Sequence, residues 1–123
     1  MRALVIDDSK AIRAILGKML REMDCEVHEA EDGREALEVL QKEAPLDIAL
    51  VDWNMPIMNG FDFVKAVRAN RNYDELRLMM VTTENEMSKV LEALNAGADE
   101  YVMKPFTKEI IVDKLRLIGM ELV

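Results

Sequence analysis

Four apolar runs of this 123-residue chain each end on a residue able to do chemistry. The run 2–6 leads into Asp7 and Asp8, and the run 48–51 stops at Asp52. The run 76–81 reaches Thr82 and Thr83, and the run 101–103 reaches Lys104 and Pro105. If these ends meet, three carboxylates, a hydroxyl and an ammonium share one shallow pocket. Two like charges about 4 Å apart, at an effective dielectric near 20, repel by about 4 kcal/mol. Such a cluster either keeps a proton, with one pKa raised, or holds a cation. Oxygen-only ligation selects a hard ion, and few carboxylates around an open remainder suit Mg²⁺ better than Ca²⁺. With a cation present, a phosphate compound can approach an acidic site. Asp52 is then a carboxylate nucleophile aimed at phosphorus, forming an acyl phosphate. Lys104 would pair with Asp52 at rest and with a phosphoryl oxygen later, and Thr82 would donate a hydrogen bond to another oxygen.

The elements that must position these residues follow from periodicity. "RALVI" (2–6), "CEVHEA" (25–30), "DIALV" (47–51), "LRLMMVT" (76–82) and "EYVM" (100–103) read as strands. Helical spacing runs through 9–23, 32–44, 60–70, 85–97 and 107–122. Ile12, Ile15, Leu16, Met19, Leu20 and Met23 form the apolar side of the first helix, with Ser9 as its cap. Asp32 caps the second, Pro45 follows its end, and Gly97 stops the fourth. Strand and helix alternate five times. Near-continuous apolar strands between amphipathic helices imply a parallel sheet covered on both faces. Five such units favour a doubly wound α/β fold, (βα)5, with strand order 2-1-3-4-5 and its site at the C-terminal strand ends, between strands 1 and 3.

Composition narrows the function classes. The length suits one domain, 1–123, with no room for an output domain. A formal charge of −8 with no Lys/Arg cluster argues against nucleic-acid binding. No apolar run reaches membrane-spanning length, and the N-terminus lacks signal-peptide architecture. A single cysteine, Cys25, fits a reducing, cytoplasmic setting. His28 has no second His or Cys at ligand spacing and reads as structural or solvated. Most of the ten methionines, Met19, Met79 and Met80 among them, fall on core positions. Trp53 is expected partly exposed beside the site, a reporter of its state.

"VIDDS", "VDWNMPIMNGFDF", "VTTEN" and "GADEYVMKPF" together resemble the receiver domain of two-component response regulators, over the whole chain and in order. "DWNMP" with "EYVMKPF" is most similar to the single-domain chemotaxis type. The resemblance implies a flavodoxin-like topology and assigns roles. Asp52 matches the phosphoacceptor, Asp8 a direct Mg²⁺ ligand, and Asp7 one that acts through water. Asn54 matches the residue whose backbone carbonyl completes the metal set, with Mn²⁺ as a substitute ion. Thr82 and Lys104 match the family's hydroxyl and lysine, and Lys104–Pro105 a peptide bond held cis. Tyr101 matches an aromatic whose rotamer follows phosphorylation. Asn54 and Glu84 occupy positions that tune acyl-phosphate lifetime, and Thr83 stands where alanine is common. The implied protein is a monomeric cytoplasmic switch, not an enzyme acting on a separate substrate. A histidine kinase would phosphorylate it, and it would bind a partner such as a flagellar motor switch protein through the helix 4–strand 5–helix 5 face.

Competing readings keep parts of this chemistry. A phosphorelay intermediate would pass the group to a histidine phosphotransferase. An aspartyl-nucleophile phosphatase needs a second Asp two residues after the first, where this chain has Asn54. A flavin mononucleotide protein of the same topology needs a phosphate-cradling first loop, where this chain has Asp7-Asp8.

Overall fold

The structure, a computed structural model, describes residues 1–83 and 87–120. Five parallel strands, β1 (Arg2–Ile6), β2 (Glu26–Ala30), β3 (Ile48–Val51), β4 (Arg77–Thr82) and β5 (Glu100–Met103), form one sheet in the order β2-β1-β3-β4-β5. Helices α1 (Lys10–Glu22), α2 (Gly33–Glu43), α3 (Gly60–Arg68), α4 (Met87–Ala96) and α5 (Lys108–Leu117) connect them. Local chemistry sets the helix starts. Ser9, Asp32, Asn59 and Thr107 each accept a hydrogen bond from the backbone N–H three residues on, satisfying a donor that the helix leaves unpaired.

Side-chain alternation along the strands divides the core. Val5, Leu50, Met79 and Val102 pack with α1 and α5 through Leu16 and Ile111. Leu4, Val51 and Met80 pack on the opposite face with α2, α3 and α4, around Leu40, Phe63 and Ala93. The three middle strands are almost wholly buried, which is why they read as continuous apolar runs rather than alternating ones.

Several boundaries differ from the sequence reading. The third helix ends at Arg68, and a single 3₁₀ turn, Arg71–Tyr73, follows it. The last helix ends at Leu117, because Gly119 takes a positive φ of 87° that terminates it. Of the predicted fourth helix, residues 85 and 86 lie outside the described residues. Ile15, expected on the packed face, is 46% exposed and lines a surface groove instead. Met79 and Met80 are core residues, as expected.

Three arginines fasten the edge of the sheet where the strands begin. Arg2 donates to the carbonyls of Glu43 and Pro45 and pairs with Glu26 at 2.7 Å. Arg68 donates to the carbonyls of Gly97, Tyr73 and Leu76 and pairs with Asp99 at 3.1 Å. Arg77 donates to the carbonyl of Ile118 at 3.0 Å. Both Ala44–Pro45 and Lys104–Pro105 are cis.

Candidate phosphoacceptor and metal site

Register and alternation bring the acids together. Ile6 pairs with Val51, so Asp7 and Asp52 leave their strands level with one another. Asp7 and Asp52 follow the alternation of Val5 and Leu50, and Lys104 that of Val102, so all three point to the α1/α5 side. Lys104 Nζ lies 2.8 Å from Asp7 Oδ2 and 3.5 Å from Asp52 Oδ1. The sequence reading paired Lys104 with Asp52 alone. Its nearer partner is Asp7, which its strand end faces across the pocket.

Oxygens of Asp7, Asp8 and Asp52 lie within 4.8 Å of one another. Asp7 and Asp52 are buried and Asp8 is exposed, so the cluster opens to solvent on one side. Ser9 N–H donates to Asp7 Oδ1 at 2.8 Å, leaving that carboxylate held by a backbone donor and an ammonium. Asp52 is less well supplied. Burial and the neighbouring Asp7 push its pKa up from 3.8 to about 6, against the opposing pull of Lys104 and the Trp53 N–H, with Asp8 adding to the rise. An oxygen-only donor set with one open side fits a hard divalent cation, and Mg²⁺ in particular. Asn54 is exposed in the loop after Asp52.

Thr82 follows the other alternation. It ends β4 on the face of Met80, 2% exposed, and its carbonyl accepts from Lys104 N–H at 2.9 Å. Tyr101 pairs in register with Met80 and is half-buried against the α2/α3/α4 core. Lys114 Nζ lies 5.4 Å from the centre of its ring and 3.3 Å from Glu100. Lys104 and Thr82 therefore lie on opposite faces of the sheet. Glu84 lies outside the described residues. Thr83 is exposed and lines an apolar groove of about 380 Å³ with Ile12, Ile15, Lys104, Pro105 and Phe106. Trp53 is partly exposed and stacks on Phe61, ring centres 5.5 Å apart. His28, on the edge strand, lies 2.8 Å from Glu26 and pairs in register with Leu4.

The loop from Asp52 to α3 carries strain at Ile57. It has φ 69° with its side chain 77% exposed. A β-branched residue in the left-handed region costs about 1–2 kcal/mol, whereas Asn tolerates it. Ile57→Asn is expected to stabilise the fold by about 1 kcal/mol, raising the melting temperature by about 4 °C. An unchanged or lower melting temperature would refute the strain.

One participant escaped the sequence reading. Arg13 lies on the buried stripe of α1 with Leu16, Gly17 and Leu20. A charged residue at core spacing was the signal: an arginine is buried only where something pairs with it. Here Arg13 NH1 donates to the Asp7 carbonyl at 2.6 Å.

Comparison with known proteins agrees with this fold. The family model described as the response regulator receiver domain matches residues 3–116. Among curated relatives, the chain is 43% identical to chemotaxis protein CheY1 of Helicobacter pylori (strain J99), covering 96% of each chain. It is 42% identical to the chemotaxis protein CheY homolog of Campylobacter jejuni, covering 94% of this chain and 89% of that one. Among solved structures, chemotaxis protein CheY4 of Vibrio cholerae superposes with a TM-score of 0.89 at 40% identity, covering 95% of this chain and 97% of that one.

Proposed function

This chain belongs to the response regulator receiver domain family, and from that premise we propose that it is a chemotaxis-type signalling switch phosphorylated on Asp52. The observation that carries the reading is the meeting of Asp7, Asp8, Asp52 and Lys104 at the strand ends of a family member. Its similarity to chemotaxis proteins over nearly the full chain favours motor control over a phosphorelay.

In this reading Asp7, Asp8, Asp52 and the Asn54 carbonyl would hold Mg²⁺. The ion supplies the positive charge that lets a dianionic phosphoryl donor enter a site with three carboxylates. Asp52 attacks phosphorus with one carboxylate oxygen, the bond from phosphorus to the donor's leaving atom breaks, and an acyl phosphate results. Lys104 exchanges part of its carboxylate pairing for a phosphoryl oxygen. Thr82 donates to another. Its shift toward the phosphoryl group opens space on the face it shares with Tyr101, and the Tyr101 ring turns into it. The α4–β5–α5 surface then changes its affinity for a motor switch protein. Such a switch is worth only the difference in stabilisation between its two states, about 5.5 kcal/mol for a move from 1:99 to 99:1. The donor is a histidine kinase, and water later removes the group at a rate that Asn54 and Glu84 adjust. The chain works as a monomeric receiver in the cytoplasm. Among the described residues no helix is long and apolar enough to cross a membrane.

Intact mass after treatment with acetyl phosphate and Mg²⁺ tests this reading. One phosphoryl group is expected, with a parallel change in Trp53 fluorescence. Chelation of Mg²⁺ and Asp52→Asn are each expected to abolish the mass gain. Unchanged phosphorylation of Asp52→Asn would reject Asp52 as the acceptor.

A further inference from the structure

We propose that Arg13 is a positioning residue of the metal site, holding the Asp7–Asp8 peptide in the orientation that aims Asp8 at the cation. The inference rests on the reading of Asp7, Asp8 and Asp52 as a Mg²⁺ site, and adds a residue outside the cluster to it.

Arg13 is 8% exposed on the helix side that otherwise carries Leu16 and Leu20. A buried guanidinium persists only with partners for its charge and its donors. Arg13 has them from two segments. NH1 donates to the Asp7 carbonyl at 2.6 Å, Nε to Glu29 Oε1 at 3.2 Å, and NH2 lies 3.9 Å from Glu31 Oε1. Glu29 is itself 3.8 Å from Arg21. The guanidinium thus ties the end of β1 to the end of β2.

The bond to Asp7 is made at the carbonyl, not the carboxylate. That carbonyl belongs to the peptide joining Asp7 to Asp8, which is planar. Fixing its oxygen fixes the direction in which the chain enters Asp8. Asp7 has further anchors: its N–H donates to the Ala30 carbonyl at 3.1 Å, and its carboxylate is held by Ser9 and Lys104. Asp8 has no comparable support. It is exposed and, among the described residues, makes no hydrogen bond or ion pair. Its direction therefore comes from the backbone that Arg13 holds, and a second layer of this kind is what tunes a metal site.

Two roles for Arg13 predict opposite signs. If the residue matters only as a positive charge near the cluster, removing it relieves repulsion and Mg²⁺ binds more tightly. If it positions Asp8, removing it weakens binding. Calorimetric titration with Mg²⁺ alone separates them. Arg13→Met is expected to raise the dissociation constant about tenfold, within the range for lost second-layer partners. Arg13→Lys, which keeps one donor toward the carbonyl, is expected to raise it about threefold, and circular dichroism checks folding of both. Tighter or unchanged Mg²⁺ binding in either folded variant overturns the proposal. Should Arg13→Met fail to fold, Arg13→Lys alone decides. A wild-type protein that binds no Mg²⁺ overturns both this inference and the metal site on which it rests. Mg²⁺ binding by wild type with an unaltered Arg13→Lys overturns this inference alone.

Discussion

Gly60→Ala is expected to destabilise the protein by about 3 kcal/mol, the upper part of the range for an added group in a packed interior. Gly60 is the first residue of α3, with an ordinary helical requirement, and its N–H donates to the Trp53 carbonyl at 2.9 Å. What it cannot spare is space. A Cβ there would fall 2.1 Å from the Asp52 carbonyl oxygen and 2.9 Å from the carbonyl carbon. The obstacle is backbone, which no rotamer change can move aside. Met80 Cε, at 3.0 Å, closes the remaining direction. Either α3 withdraws from the sheet, losing the contacts of the fully buried Phe63 and Val64, or the chain at Asp52 is pushed away. Thermal unfolding is expected to show a drop of about 12 °C. Mg²⁺ affinity is expected to fall as well, because the displaced segment is the one that carries Asp52. A melting temperature within about 3 °C of wild type would mean that α3 does not press on the site's backbone.

The second large effect has the opposite sign. Without metal, Asp52→Asn is expected to be more stable than wild type above pH 6. The pKa of Asp52 rises from 3.8 to about 6 in the fold, chiefly through burial and through Asp7. A carboxyl whose pKa is higher folded than unfolded binds its proton more tightly in the native state. Stability is therefore lost as pH rises from about 4 to about 6, and the loss is complete above that. At about 1.4 kcal/mol per pKa unit the shift, which already includes the pull of Lys104, corresponds to about 3 kcal/mol, and solvent screening from the open side of the site reduces the cost of the charged group to about 2 kcal/mol. Asparagine keeps the shape and has no charge to bury. The difference between the two proteins, followed by urea unfolding, is expected to be near zero at pH 4 and about 2 kcal/mol at pH 7.5. Saturating Mg²⁺ is expected to narrow the gap, because it binds the folded wild type more tightly than the variant. Equal stabilities at pH 7.5 in chelator would show that Asp52 is not strained by its surroundings.

Much of this was legible in the residues. Apolar runs broken by helical spacing gave the strand number and a parallel sheet, while the strand order, and with it the edge at which the acids meet, came with the resemblance to the receiver family. The residues nearest the chemistry lay at strand ends, where a one-residue error in a boundary does not move them. Other features needed contacts between distant segments. Nothing local to Ile15 says that α1 leaves it open beside Pro105 and Phe106. Nothing local to Lys104 says that Asp7 is its nearer partner, since 97 residues separate them. Arg13 is the instructive case. Its place on the buried stripe of α1 was visible in the spacing, but its nearest partner, the Asp7 carbonyl at 2.6 Å, is backbone, and a carbonyl has no signature in sequence.

Arg2, Arg68 and Arg77 grip carbonyl groups only at the edge where the strands begin. The sheet is thus built like a cantilever, clamped by these three arginines along one side and, among the described residues, by Arg13 alone of the arginines along the other. Amides beside the clamp, such as that of Leu78, whose N–H is held by Asp99, should exchange with deuterium only when the whole molecule opens. Amides at the acidic edge should exchange through smaller, more frequent openings. The free energy of the fold is spread unevenly along each strand, and the compliant end is the one at which a phosphoryl group would arrive.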